Sequence, residues 1–194
     1  MGLISKFKAF YGMSEGKPLL SSEELQNKVH RSFAFQSFIA GTLGYSFYYV
    51  CRAAINVMKK PIIDSGMLDA DQLGTIGAVS LATYAIGKFV NGFLADYSNI
   101  KRFMASGLII SAIACLLMGV VGMPGFYIGG SLMPSTAVFI AFAILWGLSG
   151  WAQSMGAPPA IIALSRWYPL SKRGTYYEFS SASQNIGEGL SFVF

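Results

Sequence analysis

Charge is scarce in this chain, and histidine and cysteine are nearly absent. Only 12% of its 194 residues are Asp, Glu, Lys or Arg, against about 25% in a soluble domain. From Phe103 to Leu164 no charged residue occurs in 62 positions, and the only break in that run is the Gly/Pro/Ser-rich stretch from Gly122 to Ser135. A soluble globular domain is therefore excluded. The two cysteines, Cys51 and Cys115, both fall inside apolar runs, so no disulfide framework is implied. The single His30 and the absence of any zinc-type spacing leave no metal site to expect. No nucleophile elbow and no phosphate-cradling glycine loop occurs, so neither enzymatic chemistry nor a cofactor is expected. There is no N-x-[ST] sequon. The first 30 residues hold no apolar signal-peptide core, and Lys6 breaks the myristoylation pattern.

What is present is hydrophobic: 54% of the residues. A helix needs roughly 20 apolar residues to cross a bilayer, and five spans are expected, near 33–63, 73–95, 103–121, 136–164 and 175–194. The expectation is an all-α membrane protein whose first partner is the lipid bilayer, placed in the cell (inner) membrane and crossing it several times. The last span has barely turned apolar (GLSFVF) when the sequence stops, so a fragment of a longer protein is expected. Lys and Arg set the orientation. Ten lie before span one, between spans two and three and between spans four and five, and two lie in the other loops (Lys59, Lys60). The N-terminus is thus cytoplasmic, with residues 1–32 as a cytoplasmic tail. The net charge of +5 reflects this bias and not a nucleic-acid footprint, which needs a basic face on a soluble domain. Ile4, Phe7 and Tyr11 share one helical face, and either a short surface helix or a solvated tail fits them.

Three ionisable residues lie well inside spans: Arg52, Lys88 and Glu188. Each costs several kcal/mol, roughly 2.5–3.5 at the bilayer centre, and needs compensation. On span one Tyr45, Tyr49, Arg52 and Asn56 are spaced 4, 3 and 4. On span two Ser80, Tyr84, Lys88 and Asn91 are spaced 4, 4 and 3. Each set falls on one helical face. A snorkelling side chain needs no such stripe, whereas a water-filled cavity does. Arg52 lies about 15 residues before the turn near Met67–Leu68 and Lys88 about 20 after it, an axial offset of about 7 Å. One polyatomic anion between them is geometrically reasonable, because Arg offers a planar fork and Lys a mobile point charge. On span four Gly147, Gly150 and Gly156 allow close helix approach, and Pro158 and Pro159 bend or break the helix. Trp146 and Gln153 share a face there; Trp146 is taken as a site candidate, Gln153 as a weaker one.

Several stretches carry a resemblance. "GFLADYSNIKRF" (92–103) resembles the loop between helices two and three of the major facilitator superfamily, with Gly92, Asp96, Lys101 and Arg102 in the matching places. "YYVCRAAINVMKKP", "YAIGKF", "GWAQSMGAPP" and "RWYPLSKRGTYYEFSSASQNIGEG" resemble the organophosphate:phosphate antiporter branch, which includes glycerol-3-phosphate and hexose-phosphate transporters. The resemblance implies the N-terminal half of a major facilitator fold, residues 33–194 being an incomplete six-helix bundle that meets a missing C-terminal half of the same chain. It implies Arg52 as the main phosphate ligand, Lys88 as an assisting cation, and Tyr45, Tyr49 and Tyr84 as lining. Gln184 stands where many members have histidine, Ala53 where many have a second basic residue, and Glu188 where many have glycine. The implied function is exchange of an organic phosphate for inorganic phosphate by alternating access. Some relatives instead sense external sugar phosphate and signal to a partner kinase, and the residues alone do not separate the two.

Overall fold

The computed structural model describes residues 2–13, 22–123, 127–128, 131–132 and 135–191. Seven helices follow in order: α1 (Leu3–Tyr11), α2 (Glu23–Asp64), α3 (Ala70–Asp96), α4 (Ile100–Val121), α5 (Ser135–Gln153), α6 (Ala157–Trp167) and α7 (Leu170–Ser191). The glycine-rich stretch before α5 carries one antiparallel pair of two-residue strands, Tyr127–Ile128 with Ser131–Leu132. The side chains of that pair, those of Ile4 and Phe7, and residues 192–194 lie outside the described residues.

Among the described residues, three segments are long and apolar enough to cross a membrane by length and composition: Ala70–Asp96, Ile100–Val121 and Ser135–Trp167. Their outward faces carry large exposed apolar side chains, among them Ile86, Phe89 and Phe93 on α3, Ile113 and Leu116 on α4, and Ile140 and Ile144 on α5. A belt of that kind suits lipid as its solvent. The stretches expected as spans one and five differ in composition. α2 bears Arg52, Lys59 and Lys60 among its tyrosines, and α7 is rich in Ser, Tyr and Gln. α2 and α7 pack along one another. At 42 residues, α2 is about 63 Å long, about twice the thickness of a hydrocarbon core. It begins ten residues before the expected span.

Local chemistry sets the ends. Asp69 caps α3: its carboxylate accepts from the Gln72 N–H at 2.7 Å while the Gln72 side chain accepts from the Asp69 N–H at 3.0 Å. Replacing Asp69 by alanine removes this capping box and costs about 1 kcal/mol, measurable as a lowered unfolding temperature in detergent. Span four is interrupted as the prolines require. α5 ends at Gln153, a Ser154–Gly156 turn follows, and Pro158 and Pro159 sit in the first turn of α6, where a missing N–H is harmless.

Close backbone approach and hydroxyl bonds hold the bundle together, as expected where lipid supplies no hydrophobic drive between helices. α3 packs on α5, α4 on α5, and α2 on α7. A side chain at Gly150 would strike the Ser80 backbone, and one at Gly187 would strike the Ser46 carbonyl and Tyr49. Thr83 donates to the Gly147 carbonyl (2.8 Å), Tyr48 to the Met104 carbonyl (2.6 Å), and Ser111 and Ser149 share a bond of 3.0 Å. Asn91, expected on the polar stripe of α3, is fully buried and donates to Ser154 Oγ at 2.6 Å. It therefore serves packing: its angular position lies at the edge of the stripe, where α6 and the turn before it close over the helix.

Candidate functional site

The two stripes meet around one aromatic ring. The Arg52 guanidinium carbon lies 4.4 Å from the centroid of Tyr84 and 5.8 Å from that of Tyr49. The Lys88 ammonium, arriving from one turn along α3, lies 5.8 Å from the same Tyr84 ring. An aromatic face attracts a cation, so Tyr84 holds two positive groups that would otherwise repel. Neither has a carboxylate partner among the described residues. Tyr45 meets Tyr49 edge-on, with ring centroids 5.1 Å apart and hydroxyls 3.4 Å apart. Spacing on two helices thus yields one cationic, tyrosine-lined site.

Above it opens a cleft of about 170 Å³ lined by residues that include Arg52, Asn56, Lys59, Ser80, Tyr84, Trp146 and Gln153. A smaller recess adjoins it, formed by Tyr45, Tyr48, Tyr49, Arg52, Tyr84 and Gln153. Trp146 is buried with its flank on the cleft. Gln153, rated the weaker candidate, lines both spaces and donates to Ser149 Oγ at 2.9 Å, which fixes its amide. Lys59 was counted with an outer loop, yet α2 continues to Asp64 and sets it on the cleft two turns beyond Arg52. The 3.6-residue period extended from Asn56 is the signal that finds it.

Gln184 is exposed on α7 and, among the described residues, makes no hydrogen bond to this group. The loop residues stand apart, at the far end of α3. Asp96 is exposed, and its contact with Lys101 or Arg102 is not made. Arg166 donates instead to the Asp96 carbonyl at 3.5 Å. Arg102 turns to α1: it donates to the Phe10 carbonyl at 2.8 Å and lies 5.1 Å from the Phe10 ring centroid. The Asn99 N–H donates to the Tyr11 carbonyl at 2.7 Å, and Tyr11 packs edge-on against Phe103. Arg173 donates to the carbonyls of Tyr168 and Ser165 at the end of α6. These cations sit where helices expose unpaired carbonyls, as the helix dipole favours. α1 is thus a docked helix, which resolves the choice left open for residues 3–11.

Helices with an apolar outer belt and a shared polar cleft that Arg52 and Lys59 line define a polytopic membrane protein. The sequence matches the Major Facilitator Superfamily over residues 41–194, and the chain belongs to that family. It is therefore a multi-pass protein of the cell (inner) membrane with an all-α fold of the type found in the N-terminal half of that family. The chain is 36% identical over 171 residues to a "Probable hexose phosphate transport protein" of Chlamydia trachomatis, covering 88% of this chain and 34% of that protein. It is 34% identical over 164 residues to the "Hexose-6-phosphate:phosphate antiporter" of Escherichia coli, covering 84% and 33%. It is also 31% identical over 148 residues to the "Membrane sensor protein UhpC" of Escherichia coli, covering 76% and 30%. The chain spans about a third of the length of these relatives. They agree with the antiporter-branch resemblance carried by its motifs.

Proposed function

We propose that this chain forms the N-terminal part of a secondary transporter that exchanges an organic phosphate, a sugar phosphate or glycerol 3-phosphate, for inorganic phosphate. The observation that carries the reading is the Arg52–Tyr84–Lys88 arrangement: two cations at one ring, Arg52 on the cleft and Lys88 one turn along α3, with no carboxylate partner among the described residues. Arg52 offers the phosphate a bidentate fork and Lys88 a second charge. Tyr45 and Tyr49 supply hydroxyls, Trp146 a flank and Gln153 an amide; on this reading Gln184 adds a second amide from α7. Residues 1–32 are the cytoplasmic segment, and 33–194 the bundle that meets a C-terminal half supplying the opposing cation. Filling the cavity with an anion relieves repulsion between the halves, and binding energy that differs between inward- and outward-open states drives their rocking. Gly92, Asp96, Lys101 and Arg102 form the loop whose contacts change in that motion.

The test is reconstitution of the complete polypeptide in proteoliposomes. Hexose phosphate enters only when inorganic phosphate is trapped inside. Binding of hexose phosphate without any exchange favours the second reading, a sensor of external sugar phosphate that signals to a partner kinase, for which the UhpC relatives speak.

The shared ring has its own expected effect. Tyr84→Phe keeps the aromatic face and changes phosphate affinity less than about threefold. Tyr84→Ala lowers it about tenfold, since a desolvated cation–π contact is worth 1–2 kcal/mol. Competition binding of radiolabelled phosphate distinguishes them.

A further inference from the structure

Glu188 has no part in the mechanism above, and its place on α7 gives it one. The face of α7 turned to the bundle carries Ser180, Ser183, Gly187 and Ser191, all buried. Phe179, Ile186 and Leu190 are exposed and apolar and form the lipid side. On the other flank of the buried face, away from the lipid side, runs a polar stripe, Tyr177, Ser181, Gln184 and Glu188, spaced 4, 3 and 4, hence on one side of the helix. Its direction is set by a cleft in which Tyr177 and Ser181 stand with Tyr45, the first tyrosine of the Arg52 stripe. Its depth is set by two contacts. Tyr176 meets Phe38 edge-on at 5.2 Å, and the Gly187 backbone lies against Ser46 and Tyr49. α2 and α7 therefore run in the same direction, and Glu188 reaches the level of Tyr49. Arg52 is three residues further along α2, about 4.5 Å of rise.

Resting on the function proposed above, we infer that Glu188 is a specificity residue of the anion cavity. An ionised carboxylate only accepts hydrogen bonds. One turn from the phosphate site it accepts from the hydroxyls of a polyol phosphate and repels a second acidic group on the same molecule. The favoured class is a hydroxyl-bearing phosphate monoester with no further acid.

The test compares two ligands of equal carbon length, glycerol 3-phosphate and 3-phosphoglycerate, as competitors of radiolabelled phosphate on the complete polypeptide in detergent. The wild type prefers the first. Glu188→Gln shrinks that preference about tenfold, the size of one like-charge contact at a partly screened site, while phosphate binding itself persists. Glu188→Asp keeps the preference. A merely structural role moves both ligands together. An unchanged ratio in Glu188→Gln with phosphate still bound overturns this inference alone, whereas a wild type that binds no phosphate overturns the anion cavity and the inference with it.

Discussion

Replacing Arg52 by alanine abolishes phosphate exchange while the protein still folds and inserts. Truncating one member of a desolvated, hydrogen-bonded charge pair costs 2–5 kcal/mol, which places the loss between about thirtyfold and several thousandfold. The side chain is only half-buried and, among the described residues, makes no hydrogen bond between helices; its contact across helices is with the face of Tyr84. The fold therefore survives the change. Arg52→Lys retains the charge but loses the planar fork, and exchange falls by about tenfold. Initial rates of radiolabelled phosphate uptake into phosphate-loaded proteoliposomes give both numbers. Exchange by Arg52→Ala within threefold of the wild type removes the proposed role of the guanidinium, whatever the fold.

Gly150→Leu has the opposite profile: it destroys the bundle and not the chemistry. A Cβ at this position falls on the Ser80 backbone and on the side chains of Ser80 and Thr83. Backbone cannot step aside as a flexible side chain does, so α5 must move off α3 and break the Thr83 bond to the Gly147 carbonyl. Overpacking of this kind costs about 1–3 kcal/mol in ordinary cores, and the lost interhelical bond adds about 0.6 kcal/mol. The variant is expected to unfold well below the wild type in a detergent melt, or to fail to accumulate. Gly119→Ala is the control, because nothing lies within 4 Å of a side chain there, and alanine in place of a glycine in the last turn of α4 does not oppose the helix. Equal melting of the two variants would contradict the close α3–α5 approach.

The sequence made the centre of the site legible because helical spacing is local. Tyr45, Tyr49 and Arg52 on one helix and Tyr84 and Lys88 on the next follow from counting, and one turn between them fixes their relative depth. Counting gives an angle, however, and not a neighbour. Asn91 and Lys88 differ by three residues, yet one is closed over by the turn before α6 and the other is open. Lys59 is hidden to the charge count because that count puts it in a loop, whereas α2 continues past Pro61 to Asp64. Gln153 gained its place from a helix end that only the packed prolines define. The docking of α1 depends on residues 92 positions apart in sequence, and no periodicity within either segment announces it.

The grip of α1 on Arg102 and Asn99 also bears on observation. The turn joining α3 to α4 carries the amino-terminal helix as a passenger, tethered through two main-chain oxygens and one stacked ring. On the alternating-access reading proposed above, the passenger rides along or is set down as that turn swings, so a small dye coupled beside Met13 reads out the movement without touching the cavity.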